Sequence, residues 1–221
     1  AVTAFNIVAA EGTSQQVYLA NVTGGLAAVN VAGPRAPDTL RKLTSLDLGA
    51  KGVIEVRLIS SGDKWGRGPA KDVHSSLMAR VDSPAWHLVK ALDTLVADDG
   101  FTPTIDGWFE NVRPLTPREK ELLAASLPKD EEAVKKVLGV RHWIKDEDFL
   151  TSTYRLASQP TVNIQGLVSG YTGPGGKTVL PGRAEAKLDF RLVPDMTKAE
   201  AVEKLKAHLA KRGFGDIEVI V

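Results

Sequence analysis

The run RAEAKLDFRLV, residues 183–193, alternates without a break. Ala184, Ala186, Leu188, Phe190 and Leu192 fall on one side, and Glu185, Lys187, Asp189 and Arg191 on the other. Successive side chains of an extended chain point to opposite faces, so this stretch reads as a strand with one face on a core and one toward water. At 3.6 residues per turn the same pattern would spread charge around every side of a helix. GVIEVRLIS, from Gly52, repeats the signature, with Ile54, Val56 and Leu58 set against Glu55 and Arg57. Strands of this kind need a layer of helices over their apolar face.

The helices can be located. Ser83 and Pro84 supply an N-cap and an N1 proline, and the spacing predicts a helix that ends at Asp99-Gly100, with Trp86, Val89, Leu92 and Leu95/Val96 on one face. Thr197 and Glu200 open another as a capping box, which buries Val202, Leu205 and Leu209 and stops at Gly213. PTVNIQGLVSG and the closing DIEVIV supply two further strands. Residues 101–155, with Thr116-Pro117 and Glu119 as a capping box and DEEAVKKVL as a second helix start, read as a helical insertion. Without it the order from Gly52 is strand, helix, strand, strand, helix, strand. That order predicts an α+β, ferredoxin-like βαββαβ fold: a four-stranded antiparallel sheet with two helices on one face. Ahead of it, AFNIVAA, QQVYLANV and GLAAVNVAG read as strand-rich, and GPRAPDTLRK as a connector.

With 28 basic and 27 acidic residues, the chain has no electrostatic reason to bind nucleic acid or an anionic membrane. It contains no cysteine, which excludes disulfides and thiolate metal sites. No apolar run approaches a membrane span, so the expected location is cytoplasmic. GYTGPGGKTVLP, residues 170–181, suggests a phosphate loop, but Tyr171 stands where the first glycine of that motif is required, and Pro181 prevents a following helix. Among the histidines, His87 and His208 sit at packing or surface positions of helices, and His142 reads as structural. His74 differs: it follows a glycine-rich loop, with Asp72 before it and two serines after it, so one ring nitrogen can be fixed by a neighbour while the other faces out. By themselves, His74 is an exposed loop residue, Arg191 a rung of the wet face and Thr178 a turn hydroxyl.

Taken together, GAKGVIEVRLISSG…KDVHSS, DGWFENVRPLTPREKE and PTVNIQGLVSGYTGPGGKTVLPGRAEAKLDFRLVP resemble the lid, or dimerisation, domain of the dinuclear-zinc peptidases: carnosinase-type dipeptidases, aminoacylase, glutamate carboxypeptidases and succinyl-diaminopimelate desuccinylase. The resemblance spans residues 46–221. It implies a homodimer formed through the lid, acting on a small peptide or N-acyl amino acid with two zinc ions. It places His74 as a carbonyl-polarising catalytic group that reaches across the dimer, and Thr178, Arg191 and Asn163 as substrate-binding residues. Imidazole, hydroxyl and guanidinium are expected to converge on one wall. The loop departs from the family at Ser76, where Gly is usual. Residues 1–45 resemble, more weakly, the end of the zinc catalytic domain. Ser14 and Gln15 stand where the family has a catalytic and a metal-binding glutamate, and Val31 or Ala32 where it has another carboxylate. The metal ligands are therefore expected to be missing, and this chain alone to be inactive. The alternative is a metal-free dimerisation or ligand-binding module derived from the same family.

Overall fold

The computed structural model describes residues 52–221 throughout, and before them the backbone of two strands, β1 (Thr3–Val8) and β2 (Ser14–Leu19), which pair antiparallel. Ser14 and Gln15 lie in β2, but their side chains, the positions of Val31 and Ala32, and the connector from Gly33 fall outside the described residues. The chain divides into two compact units, one of residues 1–49 and 114–158, the other of residues 50–113 and 159–221.

The second unit carries the predicted sheet. β3 (Val53–Ser61), β5 (Thr161–Ser169), β7 (Arg183–Arg191) and β8 (Glu218–Ile220) form four antiparallel strands in the order β5-β7-β3-β8. Between β3 and β7 lie a helical turn, α1 (Gly62–Trp65), a two-residue strand β4 (Val73–His74), a 3₁₀ turn (Ser75–Ala79), helix α2 (Pro84–Asp93), and the two-residue strand β6 (Val179–Leu180). Helix α6 (Lys198–Lys211) precedes β8. The alternation holds: Ile54, Val56 and Leu58 of β3 and Ala184, Ala186, Leu188 and Phe190 of β7 are buried. They meet Leu88, Ala91 and Leu92 of α2 and Ala201, Leu205 and Leu209 of α6 in one core. Burying a Leu or Phe side chain contributes about 1.5–3 kcal/mol, so this seam dominates the fold's stability.

Three expectations need correction. Helix α2 stops at Asp93, capped by Ser83, and buries Pro84, His87, Leu88, Ala91 and Leu92, while Trp86 and Val89 are exposed. Of the expected face, Leu92 and Leu95, the latter just beyond the helix, do join the core, whereas the two large residues Trp86 and Val89 point away from the sheet. Residues 101–113, expected inside the insertion, belong to the sheet unit, where Ile105 and Trp108 fill its core. At α6 the Thr197 hydroxyl accepts the Glu200 N–H as predicted, but Val202 is only half-buried and the fully buried polar residue is His208.

In the first unit the described helices are α3 (Pro117–Ser126), α4 (Glu131–Leu138) and α5 (Phe149–Ser158). Thr116 and Glu119 form the reciprocal capping box, and Pro117 occupies the first turn. Asp130 caps α4, and Gly139 ends it at φ 69°, a left-handed conformation that glycine adopts without steric cost. His142 is exposed beside Asp146.

Candidate functional site

His74 is placed by a small antiparallel ladder. β4 pairs with β6 in the register Val73↔Leu180 and His74↔Val179, and the Ser75 N–H donates to the Thr178 carbonyl at 3.2 Å. His74 and Thr178, 104 positions apart in sequence, therefore sit side by side. Asp72 Oδ1 accepts the Gly182 N–H at 3.0 Å, and the Gly182 carbonyl accepts the Gly62 N–H at 3.0 Å. Gly182 is sterically required, since a Cβ there would lie 2.8 Å from the Lys71 backbone. Asp72 thus fixes the two-strand ladder on which His74 rides, not the imidazole itself.

The imidazole is exposed and held at one nitrogen. His74 is the N-cap of the 3₁₀ turn, its Nδ1 accepting the Ser76 N–H at 3.2 Å, with Ser76 Oγ 2.8 Å away. An acceptor Nδ1 puts the proton of the neutral ring on Nε2, a hydrogen-bond donor on the exposed side. The neighbouring glycine loop is braced by its own residues. The Tyr171 hydroxyl donates to the Pro174 carbonyl at 2.9 Å, Lys177 Nζ lies 5.7 Å from the Tyr171 ring centroid, and a Cβ at Gly173 would meet the Tyr171 hydroxyl at 2.5 Å. Close backbone approach, which glycine permits, here serves the loop's own tyrosine.

Arg191 and Asn163 lie elsewhere. Arg191 ends the nine-residue β7, opposite Val53 and Thr161, and Asn163 pairs with Asp189 two residues further in. The His74 ladder adjoins the other end, where Ser61 and Ser169 flank the start of β7. At about 3.4 Å per residue the two ends are roughly 27 Å apart, so the expected convergence of imidazole, hydroxyl and guanidinium does not occur within one chain. What the sequence places on one wall, an extended strand separates.

The Arg191 end has its own organisation. Arg191 Nε lies 3.3 Å from Asp189 Oδ2, which leaves the terminal Nη edge of the half-exposed guanidinium for a second carboxylate. Asp189 is buried, with 5% exposure, and its Oδ1 has no hydrogen-bond partner in the protein. The alternation of β7 by itself makes Asp189 one more rung of the wet face. The available signal was the Asp-x-Arg spacing, which puts both side chains on the same side of a strand.

A metal centre does not fit these residues. His74 has Ser76 and Thr178 for neighbours, with no carboxylate among its hydrogen-bond partners, and no group of three or more His, Asp or Glu among the described residues could hold an ion. No helix among the described residues is long and apolar enough to cross a membrane.

The family model for the peptidase dimerisation domain matches residues 48–216. Among curated proteins, the chain is 31% identical over 142 residues to the Beta-Ala-His dipeptidase of Rattus norvegicus, covering 63% of this chain and 28% of that protein. It is 32% identical over 146 residues to the Cys-Gly metallodipeptidase dug1 of Schizosaccharomyces pombe, covering 65% and 30%. Among solved structures, the M20 family metallo-carboxypeptidase Sso-CP2 from Sulfolobus solfataricus superposes with a TM-score of 0.68 at 40% identity, over 78% of this chain and 43% of that one. Human carnosine dipeptidase 1, at 24% identity and a TM-score of 0.63, shares the fold over 77% of this chain and 35% of its own. The chain spans less than a third of the length of these two curated relatives. The four-stranded antiparallel sheet, its two covering helices and a match through most of their length make this chain a member of the peptidase dimerisation domain family.

Proposed function

We propose that the chain is the lid and dimerisation part of a zinc-dependent metallopeptidase that hydrolyses the amide bond of dipeptides or small N-acyl amino acids, and that it works as a homodimer. The metals, two zinc ions in this reading, belong to a separate catalytic part. The observation that carries the proposal is the division of the polar groups between two ends of one sheet. A donor and a hydroxyl, His74 and Thr178, stand at one end, and a carboxylate-gripping fork, Arg191 with Asn163 nearby, at the other. Two such lids, related by a two-fold axis, can each lend the His74 end to the partner's substrate while Arg191 serves the substrate of its own subunit. His74 Nε2–H then stabilises the negative charge that develops on the scissile carbonyl, and Arg191 holds the free carboxylate next to it.

The surface supports a partner. Ile164 and Leu167 belong to the edge strand β5 and lie opposite the core residues Leu188 and Ala186, on the helix-bearing side, yet both are about half exposed. α2 packs on β3 and β7 and presents Trp86 and Val89 outward, with Trp86 60% exposed. An edge strand and an apolar strip left exposed among the described residues, both on the same side, suit a second copy of this domain. The relatives' catalogue of dipeptidases and a carboxypeptidase favours the hydrolase over a binding module. In a hydrolase carrying this domain, His74→Ala is expected to lower kcat by about 10²–10³ with little change in KM, the cost of losing one oxyanion donor. Unchanged kcat would overturn the assignment.

A further inference from the structure

We infer that Trp65, His87 and Asp216 form a latch that holds the segment carrying His74 against the body of the lid, and that all three are positioning residues for His74. The inference rests on the role proposed for His74.

The segment has no core of its own. From Asp63 to Asp82, through β4 and the 3₁₀ turn, no residue is buried, and none belongs to the sheet's hydrophobic core. A stretch with so little buried apolar surface opens locally at a low free energy unless particular contacts hold it. The exposed ion pairs Arg67–Asp82 and Lys64–Glu218 hold it weakly, because solvent screens them. Trp65, at the end of α1, makes a firmer contact: its ring stacks on His87 with centroids 3.8 Å apart and planes 18° from parallel. His87 is buried in α2, its Nε2 lies 2.9 and 3.1 Å from the two Asp216 oxygens, and the Phe214 ring flanks it at 5.0 Å. A carboxylate only accepts, so Nε2 carries the proton and Asp216 sets the plane of the ring. The imidazole is thus a fixed flat seat, built by α2 and the connection from α6 to β8, for an indole that comes from the segment. The hold reaches His74 through short links. A Cβ at Gly62 would collide with the Pro69 carbonyl, so α1 and the limb leading to β4 touch backbone to backbone. The Gly62 N–H donates to the Gly182 carbonyl, the Gly182 N–H to Asp72, and the Ser75 N–H to the Thr178 carbonyl. Once Trp65 leaves its seat, a ladder of two residue pairs holds His74 without the α1 anchor.

The test is native-state amide exchange on the complete 221-residue chain, read at Ser75 and Gly182, with the central strands β3 and β7 as internal reference. Trp65→Ala is expected to speed exchange at Ser75 and Gly182 about fivefold, the weight of one aromatic pair, with the central amides unmoved. Trp65→Phe keeps a ring on His87 and is expected to bring exchange back to within about twofold of wild type. Asp216→Ala, which reaches the segment through the His87 ring, is expected to reproduce the Trp65→Ala pattern, and circular dichroism reports whether each variant is folded. Unchanged exchange at Ser75 and Gly182 in folded Trp65→Ala, or a rise shared equally by β3 and β7, overturns the inference. In a hydrolase carrying this domain, Trp65→Ala is expected to lower kcat about fivefold with little change in KM, and to cost nothing further in a His74→Ala background. A full additional loss in that background overturns the claim that the latch acts through His74. If exchange responds as expected while hydrolysis is indifferent to His74→Ala, the latch stands and the catalytic use of His74 fails.

Discussion

Gly182 shows how little room the site has. Its Cα lies against the backbone of Lys71, its N–H goes to Asp72 and its carbonyl to Gly62. Gly182→Ala forces a Cβ to 2.8 Å from the Lys71 backbone, and overpacking of this sort costs about 1–3 kcal/mol. The expected outcome is a lower denaturation midpoint and a displaced β4–β6 ladder, seen in urea unfolding and in the His74 ring signals. At this scale the sequence was partly legible. His74 and Thr178 each stood out by their loop context, but that they lie side by side is the work of a long-range ladder between β4 and β6, which neither loop announces. Asp189 was not recognised, because alternation reports which face a residue occupies but not whether that face is covered. The separation of Arg191 from His74 was equally hidden, since a shared family motif does not state the distance between its parts.

The element that ties the lid together from behind is α6. His208 is fully buried; its Nδ1 accepts the Asp106 N–H at 3.1 Å and its Nε2 donates to the Thr94 carbonyl at 2.8 Å. The neutral ring satisfies both partners. Burial, reinforced by the nearby Arg212 charge, lowers the His208 pKa below its ordinary value near 6.5. The unfolded chain takes up a proton as pH falls below about 6.5 while the folded chain does not, so stability is full above that pH and declines toward acid. Asp106 adds to the same trend further down: hydrogen bonds from Arg212 and Lys211 hold its carboxyl well below the usual carboxylate range. Stability measured by urea unfolding is expected to fall between pH 7 and 5, and a folded His208→Gln variant to lose most of that slope. An equal slope in the variant would assign the acid sensitivity to other groups. Helix α2 carries the complementary lesson. Its cap, its first-turn proline and the burial of Leu92 were readable, whereas Trp86 and Val89 look like core residues until the sheet beneath selects Leu88 and Ala91.

For the whole molecule, the strand order β5-β7-β3-β8 is what the reduced βαββαβ pattern requires, and it leaves β5 at an open edge. The alternation of β3 and β7 was legible because both are central strands with one covered face. β5 was legible only as a strand, since its Ile164 and Leu167, on the helix-bearing side, stay about half exposed. Leu167→Lys combined with Trp86→Glu is expected to turn a dimer into a folded monomer, measured by sedimentation at micromolar concentration. A wild-type monomer at that concentration would contradict the lid-to-lid assembly.

In the proposed dimer the His74–Thr178 end of one subunit completes the site to which Arg191 of the other belongs. The most direct test co-expresses two inactive forms of a hydrolase carrying this domain, one with His74→Ala and one with Arg191→Ala. A mixed dimer then contains one site with both groups intact, so random pairing is expected to restore about a quarter of wild-type turnover. No recovery in verified mixed dimers, with each variant folded and dimeric alone, would contradict it.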